Sequence, residues 1–203
     1  MTATKRYFVT GIDTDSGKSV VSAALAQKLQ ADYWKPVQAG FPTDSETVRS
    51  LIDESLTVHR EGIILQLPMS PHAAAKAEHL TIRRDQIILP KTDNTLIIEG
   101  AGGLMVPLND HDFVIDLADD FDAEVILVSR NYLGSINHTL LSIAYLQARG
   151  FRIAGIIFND ETNTESESFI LNHSQLPCLG RIPKLDQVTP ESIASLANKI
   201  DIS

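Results

Sequence analysis

The chain has 203 residues, of which 43% are hydrophobic and 21% are charged, and its formal net charge at pH 7 is −9. This composition predicts a globular domain with one sizeable core and excludes the compositional bias of disordered chains. The acidic balance argues against nucleic-acid and anionic-membrane partners, because both require basic surface patches that neutralise phosphates.

The cysteine count and the N-terminus bear on the cellular compartment. Cys178 is the one cysteine, so the chain forms no intramolecular disulfide and no paired-cysteine zinc site. The first six residues lead into an apolar run that is too short for a signal peptide. No run reaches the roughly 20 apolar residues of a membrane span. We therefore expect a cytoplasmic protein with a single domain over residues 1–203.

The first thirty residues predict a strand, a glycine-bearing loop and a helix. Residues 6–10 contain an apolar run, and residues 20–29 carry apolar side chains at helical spacing. The loop between them ends in Gly17-Lys18-Ser19, which matches the end of a Walker A motif. In that motif, backbone N–H groups at a helix N-terminus cradle phosphate oxygens, the lysine reaches the β- and γ-phosphates and the hydroxyl ligates Mg²⁺. The pattern predicts an ATP or GTP site.

The loop is a variant of the usual motif. Ile12 occupies the position where the usual spacing places a glycine, and Gly11 comes one residue earlier. A chance Gly-Lys-Ser in a surface turn is the plain alternative. The order of strand, loop and helix favours the phosphate site, because the motif requires that structural context.

The remaining chain alternates short apolar runs with helical patterns. The apolar runs predict strands at residues 33–37, 95–98, 125–129, 153–158 and 179–183. In the first of these, Pro36 marks the end of the strand or an edge of the sheet. The helical patterns predict helices at residues 45–56, 71–78, 113–121, 136–149 and 190–200. Residues 57–68 fit neither pattern. Strands that alternate with helices predict an α/β fold with a mostly parallel β-sheet and helices on both faces.

Polar side chains follow several of the predicted strands. They are Thr14, Lys18 and Ser19 after the first strand, Lys35 and Asp44 near the second, Glu99 after the strand at 95–98 and Asn159 after the strand at 153–158. Because the carboxyl ends of parallel strands meet at one edge of the sheet, we expect these side chains to surround a ligand. The oxygens of Ser19, Asp44 and Glu99 are of the type that Mg²⁺ prefers.

Each of these residues has a plainer alternative. The plainer alternative for Glu99 is a strand end in solvent, and that for Lys35 is an ammonium group that extends to water. Asp44 has the sequence position of an N-cap or a first-turn carboxylate for the helix at 45–56. The glycines between residues 100 and 103 either present backbone amides to a substrate or form a tight turn.

Six segments together resemble the dethiobiotin synthetase family. In chain order they are residues 10–19, Lys35-Pro36-Val37, Ser70-Pro71-His72, Glu99-Gly100-Ala101-Gly102-Gly103, Leu133-Gly134-Ser135-Ile136-Asn137-His138 and Asn159-Asp160. The resemblance covers nearly the whole chain, and the early glycine at position 11 is normal in that family. Related switch ATPases carry a lysine in the first half of the loop, where this chain has Asp13.

The resemblance implies a single-domain, P-loop NTPase-like fold and an ATP-dependent ligase of biotin biosynthesis. Its substrates would be 7,8-diaminononanoate, CO₂ and ATP, its products dethiobiotin, ADP and phosphate, and its metal Mg²⁺. The implied catalytic residues are Lys18 and Lys35, and the implied metal ligands are Ser19, Asp44 and Glu99. The implied ATP-binding residues are Asp13, Thr14, Asp15, Ser16, Gly17, Lys18, Ser19, Asn159 and Pro183.

The resemblance also implies a homodimer with its active site at the subunit interface. The implied substrate-binding residues are Lys35, Gly102, Gly103, Leu133, Gly134 and Asn137. The last three would reach the substrate of the neighbouring subunit from the segment at 133–137. No nucleic acid or membrane partner is implied.

The chain departs from the family pattern at Ala39, where members carry a serine whose hydroxyl is available to the substrate. Gln38, the preceding residue, is a candidate replacement. Two other functions share the predicted phosphate loop: a ParA-like switch ATPase and a non-catalytic nucleotide-binding subunit. The net charge of −9 and Asp13 count against the ParA-like alternative.

Overall fold

A sheet of parallel strands forms the centre of the computed structural model, which describes residues 4–202. The strands within those residues are β1 (Arg6–Gly11), β2 (Asp32–Trp34), β3 (Val37–Ala39), β4 (Ile63–Leu65), β5 (Leu96–Gly103), β6 (Glu124–Arg130), β7 (Ile153–Asn159) and β8 (Cys178–Ile182). Six of these described strands form the central sheet in the order β2-β5-β1-β6-β7-β8, and β3 pairs with β4 separately. Residues 1–3 and 203 of the predicted domain lie outside the described residues.

Helices cover both faces of this sheet. They are α1 (Lys18–Leu29), α2 (Asp44–Arg49), α3 (Pro71–Ala77), α4 (Asp116–Asp120), α5 (Ser135–Ala148), α6 (Thr164–Ser174) and α7 (Pro190–Ala197). Within residues 4–202, none of them combines the length and the apolar character that crossing a bilayer requires.

The strands distribute their side chains between two apolar layers, as the alternation of a β-strand requires. On β1, Phe8 belongs to the layer that contains Ile143 and Leu146 of α5. Its neighbour Val9 belongs to the layer that contains residues of α1, α2 and α7, among them Leu25. The central strands are therefore buried on both faces, which explains why they read as continuous apolar runs in the sequence.

The register of β2, β5 and β1 determines which strand ends meet. Trp34 of β2 pairs with Ile98 of β5, and Val9 of β1 pairs with Glu99 of β5. Lys35 follows Trp34 in the chain and therefore leaves the sheet beside Glu99. The loop that follows β1 begins at the same edge. The carboxyl ends of the three strands thus place the phosphate loop, Lys35 and Glu99 together.

The structure corrects the predicted strand at 33–37, which is two strands in different sheets. Pro36 has no backbone N–H to donate to a ladder. The chain therefore leaves the main sheet after Trp34 and re-forms a strand at Val37–Ala39, which pairs with Ile63–Leu65. The latter strand lies within residues 57–68, for which the sequence predicted no element.

Several helix boundaries are also corrected. The helix predicted at 45–56 ends at Arg49. Its N-cap is Thr43, whose side chain accepts a hydrogen bond from the backbone N–H of Glu46, and Asp44 is a first-turn carboxylate, the second of its two predicted positions. The helix predicted at 113–121 begins only at Asp116, whose carboxylate accepts from the N–H of Phe113. The helix predicted at 190–200 ends at Ala197.

One helix, α6, has no counterpart among the predicted elements. Its sequence is TESESFILNHS, and its buried residues are Glu167 and Ile170. A helix that buries a single apolar side chain carries almost no apolar periodicity, which is the signal that sequence reasoning relies on. The Glu167 carboxylate is satisfied by Arg181 and by the side-chain amide of Asn131.

The edge strand β2 is tied down at its start by a buried polar cluster. Asp32 accepts hydrogen bonds from Thr92 Oγ1 at 2.7 Å and Asn94 Nδ2 at 3.2 Å, and its Oδ2 lies 3.2 Å from His59 Nε2. Burial tends to raise the pKa of the Asp32 carboxyl, but these hydrogen bonds outweigh it and hold the pKa below its usual value. The ionised carboxylate therefore stabilises the folded state.

We expect Asp32→Asn to lower the free energy of unfolding at pH 6 by about 1–3 kcal/mol, because charge-assisted hydrogen bonds are lost. A carboxyl whose folded pKa is depressed contributes fully above its unfolded pKa of about 3.9 and loses that contribution as the pH falls through the folded pKa. The difference between variant and wild type, measured by urea unfolding, should therefore shrink towards pH 3. An equal difference at pH 6 and pH 3 would contradict this account.

Candidate active site

The phosphate loop connects β1 to α1 and has a glycine at each end. At Gly11, a Cβ atom would lie 1.8 Å from Ser16 Oγ, so the first turn of the loop admits no side chain there. Gly17 has a φ of +86°, and a Cβ atom on it would lie 2.1 Å from Asn159 Nδ2. The early glycine of the variant motif is thus required by the way in which this loop folds over Ser16.

Lys18 begins α1 and points back into the loop. Its Nζ donates to the carbonyl oxygens of Asp13 at 3.1 Å and Thr14 at 3.0 Å. Burial lowers the pKa of the Lys18 ammonium below its usual value, although the negative charge of Glu99 acts in the opposite direction. The ammonium group is therefore held by neutral carbonyls at the centre of the loop.

Lys35 is the centre of a buried charge cluster. Only 2% of this residue is exposed, and its Nζ lies 2.5 Å from Asp44 Oδ2 and 3.1 Å from Glu99 Oε1. It also donates to the carbonyl oxygen of Gly100 at 3.0 Å. The ammonium group does not extend to solvent, which was the plainer alternative for this lysine.

Glu99 is equally buried, with 1% of the residue exposed. Its Oε1 accepts from Ser19 Oγ at 2.9 Å and from Lys35, and its Oε2 accepts from Tyr33 Oη at 3.0 Å. Three donors from α1, β2 and the segment after β2 thus converge on one carboxylate. The solvated strand end that was the alternative for Glu99 is excluded by this burial.

The electrostatics of the cluster favour its charged form. Burial alone would lower the pKa of Lys35, but the attraction of Glu99 and Asp44 outweighs it and raises the pKa above the usual value. Burial tends to raise the pKa of Asp44, and Lys35 overcomes this and holds it low. Burial and the neighbouring Glu99 raise the pKa of Tyr33 well above its usual value, so its hydroxyl remains a donor.

These residues line one open pocket of about 750 Å³. Its lining includes Thr14, Asp15, Gly17, Lys18 and Ser19 of the loop and its helix. It also includes Lys35, Asp44, Glu99 and Gly102, together with Phe41, Pro68 and Met69. A pocket with two lysines, three carboxylates and a phosphate loop is suited to bind and transfer a phosphoryl group.

The glycine segment that follows Glu99 is part of the sheet. β5 continues to Gly103, which pairs with Gly11 of β1. Gly102 adopts a φ of +67° and lines the pocket, whereas Gly103 lines a neighbouring apolar cleft with Met105 and Leu141. Only the first of the two predicted substrate-binding glycines therefore lies in the pocket of this chain.

Asn159 and Pro183 lie at the other end of the phosphate loop. Asn159 Nδ2 donates to the carbonyl oxygen of Ser16 at 2.8 Å. Asn159 pairs with Ile182 across β7 and β8, which brings Pro183 alongside it. Next to them, Arg130 Nε lies 3.0 Å from Asp160 Oδ2. The structure thus places Asn159 against the loop, and Pro183 directly follows the residue that pairs with Asn159.

Leu133, Gly134 and Asn137 are not among the residues that line the phosphate-loop pocket. They lie at the start of α5 and line a second groove with Asn163 and Ile136. Leu133 is fully exposed. Within one chain, the structure does not bring this segment to the predicted site.

The sequence reasoning missed Tyr33 as a part of the site, where it donates to Glu99. Gln38, the candidate replacement for the missing hydroxyl, accepts from the backbone N–H of Asp44 at 3.1 Å. In the sequence, Tyr33 is indistinguishable from an ordinary apolar strand residue. Its role becomes visible only in the fold, where its hydroxyl meets a buried carboxylate on another strand. Within residues 4–202, no group of three His, Cys, Asp or Glu side chains is arranged to hold a metal ion, so a metal here would depend on Ser19 as well as on carboxylates.

Comparison with known proteins supports the functional expectation. A family model described as an AAA domain matches residues 5–192. The chain is 52% identical over 199 residues to the ATP-dependent dethiobiotin synthetase BioD of Cytophaga hutchinsonii, and the match covers 97% of each chain. It is 45% identical over 201 residues to the protein of the same name from Christiangramia forsetii, with 96% of this chain and 97% of the relative covered.

A solved structure confirms the predicted fold class. A ParA family ATPase from Chlorobium tepidum TLS matches with a TM-score of 0.59 at 16% identity, covering 96% of this chain and 91% of that chain. At this identity the likeness concerns the P-loop NTPase-like fold alone. It therefore lends no support to the ParA-like alternative function.

We expect Tyr33→Phe to lower the free energy of unfolding by about 1–3 kcal/mol, because a buried carboxylate oxygen loses its donor while the ring still fills its site. Tyr145→Phe is the control, since it removes a hydroxyl that contacts only the exposed Arg149, and its effect should stay within about 0.5 kcal/mol. Urea unfolding measures both. Equal effects of the two variants would show that the Tyr33 hydrogen bond contributes nothing.

Proposed function

The chain belongs to the ATP-dependent dethiobiotin synthetase family, and we propose that the phosphate-loop pocket is the active site in which it performs that reaction. The enzyme is a ligase that converts 7,8-diaminononanoate, CO₂ and ATP to dethiobiotin, ADP and phosphate. The observation that carries the assignment to this pocket is that Lys18 and Lys35, which come from different strand ends, line one cavity with Glu99.

The reaction requires positive charge at two places. One substrate amine combines with CO₂ to form a carbamate, whose oxygen attacks the γ-phosphorus of ATP and displaces ADP. The second amine then attacks the carbamoyl carbon, and phosphate leaves as the cyclic urea closes. We infer that Lys18 stabilises the transferring phosphoryl group and that Lys35 binds the carbamate, because phosphoryl transfer depends mainly on positioning and electrostatic stabilisation.

We propose that Ser19, Asp44 and Glu99 hold Mg²⁺. Two observations support this. Ser19 Oγ and Glu99 Oε1 are 2.9 Å apart, and the ammonium of Lys35 already lies between Glu99 and Asp44, so hard oxygen atoms surround a cation at this place. When bound, Mg²⁺ would neutralise charge on the nucleotide phosphates.

We infer that the nucleotide lies along the loop from Ser19 to Asn159. Residues 13–19 offer backbone N–H groups to the phosphates. Asn159 and Pro183 stand at the opposite end, where a planar base would stack and hydrogen-bond. Because Asn159 Nδ2 already donates to Ser16, its amide oxygen is the atom that remains to accept from the adenine amino group.

We propose that the functional unit is a homodimer in which Leu133, Gly134 and Asn137 bind the substrate carboxylate of the neighbouring subunit. The start of α5 offers backbone N–H groups to a carboxylate. The Leu133 side chain is fully exposed to solvent. Met105 and Leu141 expose further apolar surface in the cleft beside the phosphate loop. A second copy of the chain would cover these side chains. Because the single cysteine of the sequence fits a reducing compartment, we propose a cytoplasmic enzyme.

The function is tested by the release of ADP on incubation with diaminononanoate, bicarbonate and Mg·ATP. ADP should form in proportion to the added diamine. Lys18→Ala should lower kcat/KM by about 10²–10³, as the loss of a transition-state donor does. ADP release that ignores the diamine would reject the ligase activity at this pocket, and near-normal turnover of Lys18→Ala would reject the role of that lysine.

The shared site is tested by mixing two inactive variants, Lys18→Ala and Asn137→Ala. If residues of both subunits form each site, a mixed dimer contains one site with both lesions and one with neither. Refolding an equal mixture should restore roughly a quarter of wild-type activity, since half of the dimers are mixed.

The control for this mixing experiment combines Lys18→Ala with Asp44→Asn, two lesions that lie in the same pocket of one chain. Every site of that mixed dimer keeps one lesion, so no activity should return. Mass spectrometry verifies that mixed dimers have formed. If the Asn137 mixture also stays inactive, each active site is built from a single subunit.

A further inference from the structure

Gln38 is a buried residue of β3 whose amide oxygen and amide nitrogen both form hydrogen bonds with backbone groups. It is 5% exposed. Its Oε1 accepts from the N–H of Asp44 at 3.1 Å, and its Nε2 donates to the carbonyl oxygen of Gly40 at 3.0 Å. One side chain therefore joins the start of the loop between β3 and α2 to the end of that loop.

The contact at Asp44 satisfies a helix N-terminus. The first N–H groups of a helix have no partner within the helix. In α2, the Thr43 side chain accepts from Glu46 N, and the Glu46 carboxylate accepts from Thr43 N. Gln38 accepts from the N–H of Asp44, the first helical residue. The three contacts together fix the position and direction of the short helix.

The carboxylate of Asp44 depends on this backbone support. Its side chain is 35% exposed, so packing does not hold it in one rotamer. What holds the carboxylate in place is the ion pair of its Oδ2 with Lys35 on one side and the anchored backbone on the other. Without the Gln38 contact, the N–H of Asp44 would lose its partner, and only the capping box and the ion pair with Lys35 would still hold this residue.

We propose that Gln38 is a positioning residue that holds Asp44 in the geometry required for Mg²⁺, and that it does not replace the substrate hydroxyl that is missing at Ala39. Gln38 lines the pocket, but its amide is oriented by backbone groups: Oε1 accepts from Asp44 N, and Nε2 donates to the carbonyl oxygens of Gly40 and, at 3.4 Å, of Ala39. This inference rests on the proposed role of Asp44 as a metal ligand. It adds a residue that acts on the metal only through another side chain.

The test uses Gln38→Met, which keeps the length and volume of the side chain and removes both hydrogen bonds. The dissociation constant of Mn²⁺ is measured by electron paramagnetic resonance on the full-length protein with ADP, and KM for the diamine is measured separately. We expect weaker Mn²⁺ binding by about tenfold, as for the loss of other groups that orient a metal ligand. KM for the diamine should stay within about twofold of wild type.

The control is Gln27→Met. The Gln27 side chain of α1 also accepts from a backbone N–H, that of Asp53 at 3.0 Å, and neither residue is among those that line the pocket. This variant should leave Mn²⁺ binding unchanged. Should Gln38→Met fail to fold, Gln38→Asn provides the same test, because a side chain shorter by one methylene cannot reach both backbone groups.

The double variant Gln38→Met/Asp44→Asn separates positioning from direct action. If Gln38 acts through Asp44, the double variant should bind Mn²⁺ no more weakly than Asp44→Asn alone. Additive losses, or a rise in KM for the diamine with unchanged Mn²⁺ binding, would overturn the inference and leave the metal site standing. Unchanged Mn²⁺ binding by Asp44→Asn would overturn the metal site and this inference together.

Discussion

The buried ammonium group of Lys35 holds the site together. It binds two carboxylates that lie on different elements, Glu99 of β5 and Asp44 of α2. Without the ammonium group between them, the two carboxylates would repel each other. Removing Lys35 is therefore costly, because it leaves buried negative charge without a partner. Lys35 thus serves the fold and the proposed chemistry with the same contacts.

The position of Lys35 follows from the backbone before any side chain is considered. β2 pairs with β5 over three residues and then stops, because Pro36 cannot continue the ladder. The chain turns away from the sheet at this point and starts the separate β3–β4 pair. Lys35 is therefore the last residue that still reaches Glu99, and the first that reaches across to α2. The proline that ends the strand is what places the lysine between the two carboxylates.

Much of this arrangement was predictable from the sequence, and the rest was not for identifiable reasons. The parallel sheet and the positions of Lys18, Ser19 and Glu99 follow from local patterns, because apolar runs and a glycine loop are local signals. The pairing of Val37–Ala39 with Ile63–Leu65 and the contact of Tyr33 with Glu99 depend on residues that are distant in the chain.

Gln38 illustrates the limit of local reasoning. In the sequence it is a polar residue beside a missing hydroxyl, which suggested a contact with the substrate. In the fold both of its polar ends are bonded to the backbone of the following loop. The residue type was informative, since a buried amide must be satisfied. Its partners were not, because they depend on how residues 39–44 turn back over it.

The two lysines of the pocket are held in physically different ways, and this difference suits their different tasks. Lys18 is held by neutral carbonyl oxygens of its own loop, and burial lowers its pKa. A phosphate oxygen, which carries charge, is a better partner for an ammonium group than a carbonyl, so Lys18 gains by leaving its present contacts. Lys35 is held by carboxylates, which raise its pKa and keep it positively charged where the carbamate is proposed to bind. We therefore expect Lys18 to exchange its contacts with the loop carbonyls for a phosphate oxygen when a nucleotide binds, while Lys35 keeps its ion pairs with Glu99 and Asp44.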